Sequence, residues 1–186
     1  MKLRTLLLAL ALCGLVARDA GAQANIRLDR IGGAIGYVSP EHVGGTFGLG
    51  VFADLGTIAP RIGLEARLDY WSSSDDIFGT HSSVRDVTVG ARGKYFFPMA
   101  DPKFRPFAGA GLGFHVVHAE VTIPASPGIP EETFGDSQTK LGLDLGGGVA
   151  TSIGPRTDLL GELWYGIVSD VSQFSMRVGL SYKLGL

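Results

Sequence analysis

The residue types of a hydrolase site occur together in one polar segment, SSSDDIFGTHSSVR, residues 72–85. The candidates for nucleophile, base and orienting acid are Asp75, Asp76, His81, Ser82 and Ser83. A serine becomes a nucleophile when a histidine, itself oriented by an aspartate, accepts its proton. Connecting segments are rich in Ser and Asp for conformational reasons alone. We therefore expect no catalysis here, and the alternative is weak binding of calcium or of calcium-bridged phosphate by the two aspartates.

His115 and His118 are the second candidates for chemistry, as a pair of metal ligands. Side chains three residues apart on a strand point to opposite faces, so we expect no metal site. GAGLG, residues 109–113, resembles a dinucleotide-binding turn, but no helical pattern follows it. We expect no cofactor.

The N-terminal segment 1–24 has the three parts of a secretory signal peptide. Lys2 and Arg4 form the basic start, residues 5–17 are apolar, and Ala22-Gln23-Ala24 is a small-x-small cleavage site. The apolar run is too short to span a bilayer. Cleavage after Ala24 would remove Cys13, the only cysteine, so the remaining chain has no disulfide.

The charge of the remaining chain argues against a nucleic-acid partner, which would require a basic excess. Segment 1–24 carries three of the 16 Lys and Arg and one of the 18 Asp and Glu, so residues 25–186 have a formal net charge of −4. The sequence contains no run of about 18 apolar residues, which a membrane-spanning helix would require.

The candidate residues of segments 72–85 and 109–118 are expected to be positioned by β-strands. Eight segments of the chain alternate between apolar and polar residues, which is the pattern of a strand. They are roughly 31–38, 43–55, 61–71, 86–97, 105–116, 140–153, 158–168 and 174–186. All but the first are long enough to cross a bilayer, for which a tilted strand needs about 9–11 residues. The sequence therefore predicts an all-β fold for residues 25–186, an eight-stranded antiparallel up-and-down transmembrane β-barrel.

The connections predict the orientation of this barrel. Those at 56–60, 98–104 and 154–157 are short, whereas 72–85 and 117–139 are long and are expected to be mobile surface loops. Short turns on one side and long loops on the other are typical of bacterial outer-membrane barrels. We expect both termini on the periplasmic side.

One register of each predicted strand contains no Asp, Glu, Lys or Arg, and its ends are aromatic. Two girdles of aromatic residues are expected where a lipid-facing wall meets water. The predicted outer girdle contains Tyr37, Tyr70, Tyr165 and Phe174, and the inner girdle contains Tyr95, Phe97 and Tyr182. A soluble barrel with the charged register in water is the alternative.

The opposite register would face a narrow interior, where charges must pair. Its mid-barrel set has three acids and three arginines: Glu65, Arg67, Arg92, Asp144, Glu162 and Arg177. We expect Glu65 to pair with Arg92 and Glu162 with Arg177 on neighbouring strands. A structural polar core is the main interpretation, and a gated or narrow ion path is the alternative.

Three segments carry a family resemblance. RPFAGAGLGF (105–114), LGLDLGGGVATSIG (141–154) and SMRVGLSYKLGL (175–186) resemble strands of the small outer-membrane β-barrel superfamily, which includes the OmpA transmembrane domain and OmpX-like proteins. The last strand resembles the signal read by the outer-membrane assembly machinery, although it ends in Leu186 rather than an aromatic residue.

The resemblance implies a fold rather than an activity. The main hypothesis is a non-enzymatic, monomeric outer-membrane protein whose outer loops contact the surroundings, the membrane lipids and lipopolysaccharide. A narrow small-solute or ion pore is the first alternative. A lipid A-modifying enzyme that uses the 72–85 segment is the second.

Overall fold

Eight antiparallel strands form the chain. The computed structural model describes residues 24–41, 43–77, 80–125, 130–169 and 171–185. The predicted signal peptide lies outside these residues up to position 23, and so does Leu186. The strands are β1 (Asn25–Pro40), β2 (Thr46–Ala59), β3 (Ile62–Ile77), β4 (Thr80–Phe96), β5 (Phe104–Ile123), β6 (Glu132–Ser152), β7 (Thr157–Val168) and β8 (Gln173–Lys183). Within the described residues, no helix is long and apolar enough to cross a bilayer.

Each strand pairs with its sequence neighbours, and β1 pairs with β8 from Arg30–Lys183 to Pro40–Gln173, which closes the ring. The predicted eight-stranded, up-and-down barrel is therefore confirmed. Closure leaves no free edge around the middle of the sheet. We call the end with both described termini the terminal end, and the end with the β1–β2, β3–β4, β5–β6 and β7–β8 connections the hairpin end.

The barrel is apolar outside and polar inside. Ile35, Leu112 and Leu163 point outwards and are 62%, 58% and 51% exposed. Inward-pointing Glu65 and Trp164 are 1% and 2% exposed. Burying charges while exposing large apolar side chains is the arrangement expected of a wall that faces lipid.

Glycine permits this crowded interior. A Cβ added at Gly111 would lie 2.5 Å from Arg92 Cγ, and one at Gly146 would lie 2.8 Å from the Trp164 ring. Long inward side chains therefore lie directly against the backbone of the neighbouring strands.

The strands differ from the predicted ones at the hairpin end. Segments 72–85 and 117–139 were expected to be loops, yet β3 pairs with β4 as far as Ile77–Thr80, and β5 pairs with β6 as far as Ile123–Glu132. The loop prediction is wrong for residues 72–77, 80–85, 117–123 and 132–139, because the strands continue past the end of the apolar outer register.

These extensions form a four-stranded raised sheet on one side of the barrel mouth. It comprises residues 72–77, 80–85, 117–123 and 132–140, and β4 pairs with β5 as far as His81–Thr122. On the other side β1 ends at Pro40 and β7 at Val168. The hairpin end is therefore a half-cup with one high wall and one low rim.

Leu145→Arg tests the outward register, because it places a charge near the middle of the apolar outer face of β6, where Leu145 is 45% exposed. We expect the free energy of unfolding from lipid vesicles to fall by about 2–4 kcal/mol in urea titrations. The matched control is Thr133→Arg, also exposed on β6 but within the raised sheet. It should cost only about 0–1 kcal/mol, and equal losses would contradict the assignment.

Candidate functional site

The six charged residues predicted for the interior all lie there, each at most 7% exposed. They are Glu65, Arg67, Arg92, Asp144, Glu162 and Arg177. The alternating register of the strands places them inwards, where the low dielectric requires each charge to have a partner.

The ion pairs differ from the predicted ones. Glu65 and Arg92 are direct cross-strand partners, as are Glu162 and Arg177, but neither pair forms a salt bridge in the described part of the chain. Instead Arg92 donates from Nε and Nη2 to Asp144 Oδ2, at 2.9 and 2.7 Å. Arg92 also stacks on the Trp164 ring, with Cζ 3.9 Å from the ring centroid.

The reason for the difference is the width of the lumen. Arg177 on β8 donates to Asp69 on β3, so the side chain crosses the interior instead of following the wall. In an eight-stranded barrel the opposite wall is within the reach of a long side chain. Cross-strand register alone therefore does not select the partner.

Lys94 is a central member that the sequence analysis missed. Its Nζ donates to Glu65 on the neighbouring strand and to Glu162 on β7, the latter at 2.8 Å. It also lies 4.7 Å from the centroid of the Phe107 ring. Its even position on β4, in register with Arg92, is the signal that identifies it as inward-facing.

Asp69 was not included in the predicted charge network, although its odd position on β3 predicts an inward side chain. Arg67 donates from Nε and Nη2 to the two oxygens of Asp69, at 2.5 and 2.9 Å, and from Nη1 to Glu65 at 3.3 Å. These three residues are two apart on β3 and so share one face. A single strand therefore contributes an acid–base–acid row to the lumen.

The two ends of the lumen carry further polar clusters. Towards the hairpin end, His115 Nδ1 lies 2.8 Å from both Asp86 Oδ2 and Thr88 Oγ1, and Asp86 is fully buried. At the terminal end, Asp158 accepts hydrogen bonds from Arg30 and Arg105.

His115 and His118 face opposite ways, as their spacing predicts. His115 is 2% exposed inside the barrel. His118 lies on the outer face with Nδ1 2.8 Å from Ser137 Oγ. The described residues contain no group of three or more potential metal ligands.

Side chains close the lumen. The mid-barrel cavity beside Arg92, Asp144 and Trp164 has a volume of about 10 Å³, which is roughly the space for one water molecule. The large side chains of Trp71 and Trp164 are both fully buried inside the barrel. The conformation therefore offers no space for a hydrated ion to pass this level, which weighs against the ion-path alternative.

The candidate hydrolase residues are separated by the faces of the β3–β4 hairpin. His81 Nδ1 lies 2.9 Å from Asp76 Oδ1 on the outer face. Ser83 shares that face two residues along, whereas Ser82 faces inwards. Within the described residues no serine hydroxyl is hydrogen-bonded to His81.

The seven predicted girdle residues all point outwards, and each is 38–47% exposed. They are Tyr37, Tyr70, Tyr165 and Phe174 towards the hairpin end, and Tyr95, Phe97 and Tyr182 towards the terminal end. The Tyr95 and Phe97 rings pack edge to face, 5.3 Å between centroids.

The β5 strand reverses its polarity where it enters the raised sheet. Along β5 the outward residues are apolar as far as Val116 and then polar, namely His118, Glu120 and Thr122. The inward residues change in the opposite sense, to Val117, Ala119, Val121 and Ile123. The β5–β6 register is continuous across this point, so the faces themselves do not exchange.

A cavity of about 230 Å³ lies at the base of the raised sheet. Its lining joins Val84, Val117 and Ala119 of the sheet to Val43 and Val171 of the low turns opposite. The inner face of the raised sheet therefore faces the interior of the half-cup.

Known proteins share this architecture. The family model described as the outer membrane protein beta-barrel domain matches residues 5–183. No curated protein sequence matches the chain.

Solved structures with similar folds come from several bacteria. Neisserial surface protein A is 20% identical, with a TM-score of 0.60 over 83% of this chain and 95% of that one. A major outer membrane protein of Thermus thermophilus is 16% identical, with a TM-score of 0.58 over 83% and 99%. Ail, the attachment invasion locus protein of Yersinia pestis, is 14% identical, with a TM-score of 0.52 over 84% and 99%.

A double-mutant cycle distinguishes the observed lumen pairs from the predicted ones. For Arg92→Met with Asp144→Asn we expect a coupling free energy of about 1–3 kcal/mol, because the two side chains bond directly. For Arg92→Met with Glu65→Gln the coupling should be smaller. Unfolding in urea measures both cycles, and a larger coupling for Glu65 would restore the predicted pairing.

Proposed function

The chain belongs to the family of outer membrane protein β-barrel domains, and from this premise we propose that it is a non-enzymatic surface protein whose hairpin end contacts the surroundings of the cell. The observation that carries the proposal is the raised sheet. It extends the β5–β6 ladder by seven pairs beyond Val116–Thr139, to Ile123–Glu132, without closing into the barrel. Barrel strands that end at the membrane need no such extension.

The proposal divides the molecule into two parts. The closed lumen, with its paired charges and a mid-barrel cavity of about 10 Å³, provides a rigid support. The raised sheet supplies accessible surface above it, and binding surfaces are commonly carried on segments that a rigid scaffold positions. In this proposal the hairpin end is extracellular and both termini are periplasmic. Two proteins of similar fold, Neisserial surface protein A and the attachment invasion locus protein Ail, have names that agree with such a role.

We further propose that lipopolysaccharide contacts the outer face of the raised sheet near its base. Arg85 and His118 are direct cross-strand partners there. They follow Val87 and Val116 on the outward face, where the apolar surface ends. The N–H groups of Arg85 and His118, beside a lipid surface, can donate hydrogen bonds to phosphate.

We also propose a route of assembly and an oligomeric state for the barrel. The chain would be inserted as a monomer by the outer-membrane assembly machinery through its last strand, β8 (Gln173–Lys183), which closes the ring against β1. A closed ring needs no second chain to satisfy its backbone hydrogen bonds.

Labelling of intact cells tests the orientation. Cys13 is the only cysteine and lies in the predicted signal peptide, so single introduced cysteines can be compared directly. Thr122→Cys at the hairpin end should react with a membrane-impermeant maleimide in intact cells. Lys103→Cys at the terminal end should react only after the outer membrane is permeabilised. The reverse pattern would overturn the proposed orientation.

Titration of lipopolysaccharide into the detergent-solubilised barrel tests the lipid contact. Arg85→Gln should weaken binding about threefold to tenfold, because it removes one charge-assisted phosphate contact. Lys103→Gln, an equal change of charge at the terminal end, should leave the affinity unchanged. Equal effects of the two variants would refute a site at Arg85.

A further inference from the structure

We propose that the inner face of the raised sheet, together with the low turns opposite it, is a docking site for a cationic amphipathic segment of another polypeptide. The inference deepens the proposed surface role and rests on it for the location of the partner, outside the cell. Its basis is the combination of an exposed apolar strip with a surplus of carboxylates around it.

The apolar strip lies on β5 and β6 of the inner face. Val121 and Phe134 are direct cross-strand partners and are 38% and 57% exposed. Ile123, at the next inward position of β5, is 44% exposed. These side chains lie beyond the outward apolar register that faces lipid, so neither the membrane nor the described part of the barrel covers them. Contiguous exposed apolar side chains of this kind mark interaction sites.

The strip continues downwards into the cavity of about 230 Å³ between Val84, Val117 and the low turns. A partner lying on the strip can therefore insert one apolar side chain at its base. Val117 to Ile123 spans six residue steps, or about 20 Å along the strand. About 14 residues of α-helix have the same length.

The charge of the hairpin end defines the partner. Segments 41–45, 72–85, 117–140 and 169–172 contain eight Asp and Glu but only two Lys and Arg. Three exposed carboxylates lie near the apolar strip: Glu41 and Asp136 line the cavity below it, together with Lys140, and Glu132 is the cross-strand partner of Ile123. Asp75 lies on the other side, at an inward position of β3, with Ser82 of β4 between it and Val121.

An apolar strip between carboxylates matches a segment with one apolar and one cationic face. Apolar side chains of the partner would lie on Val121 and Phe134, and its Lys or Arg side chains would reach Asp75, Asp136 and Glu132 at the borders. This is the helix-in-groove mode of recognition, in which an amphipathic segment buries one face. A polyanion is disfavoured by the same carboxylates.

The test uses the barrel, residues 25–186, in phosphatidylcholine nanodiscs. The probe is a fluorescent 18-residue amphipathic peptide of Leu and Lys, and fluorescence anisotropy gives its Kd after subtraction of empty nanodiscs. Val121→Ser with Phe134→Ser should raise the Kd at least about tenfold. The matched outer-face control, Thr122→Ser with Thr133→Ser, should leave it unchanged. A heat-dependent shift of gel mobility establishes that each variant is folded.

Charge is tested separately. Asp75→Asn with Asp136→Asn should weaken binding about fivefold at low salt, and the difference should shrink at roughly 0.5 M NaCl. A peptide of the same pattern with Gln in place of Lys should bind more weakly than the Lys peptide.

Three outcomes would overturn the proposal. They are an unchanged Kd in the Val121 and Phe134 variant, equal losses in the inner-face variant and its outer-face control, and a Gln peptide that binds as tightly as the Lys peptide. The last result would identify an uncharged amphiphile as the occupant. Because binding in nanodiscs is independent of orientation, the labelling experiment can fail while this one succeeds, and the reverse also holds.

Discussion

The burial of ionised side chains in a narrow lumen filled by side chains determines how the rest of the barrel is built. A lone buried charge is destabilising by several kcal/mol, so each charge requires a partner. Lys94 meets this requirement by lying between Glu65 and Glu162, and Arg67 by binding both oxygens of Asp69. Arg92 also extends into the lumen, and the neighbouring backbone has to be glycine at Gly111 to make room for its side chain.

The network also joins strands that are distant around the ring. Arg177 on β8 binds Asp69 on β3, and Arg92 on β4 binds Asp144 on β6. Removing one member disturbs side chains on strands that are distant in the ring. We therefore expect such a substitution to lower the free energy of unfolding of the whole barrel, rather than the stability of one hairpin. The rigid lumen and the raised sheet are therefore different in kind: the first depends on internal pairing, and the second exposes its side chains.

The alternation of apolar and polar residues was sufficient to predict the fold, the number of strands and their outward register. It did not identify the charge partners, because Glu65 and Arg92 are neighbours in the wall while the actual bonds, such as that between Arg177 and Asp69, cross the lumen. A one-dimensional pattern specifies which face a side chain occupies, but not which of several residues on that face lies within reach. Predicting the pairs requires the tilt and stagger of the strands.

The error at segment 117–139 has a different cause and is informative about the membrane. Outward residues of β5 are apolar from Pro106 to Val116, eleven residues, which agrees with the 9–11 that a tilted strand uses to cross a bilayer. After Val116 the alternation along β5 continues, but the outward residues are now polar and the inward residues are apolar. The search for an apolar outer face therefore ended at the edge of the lipid, whereas the strand did not. On β5, a reversal of polarity within an unbroken alternation therefore marks the point where the apolar outer face ends and the inner face becomes the apolar one.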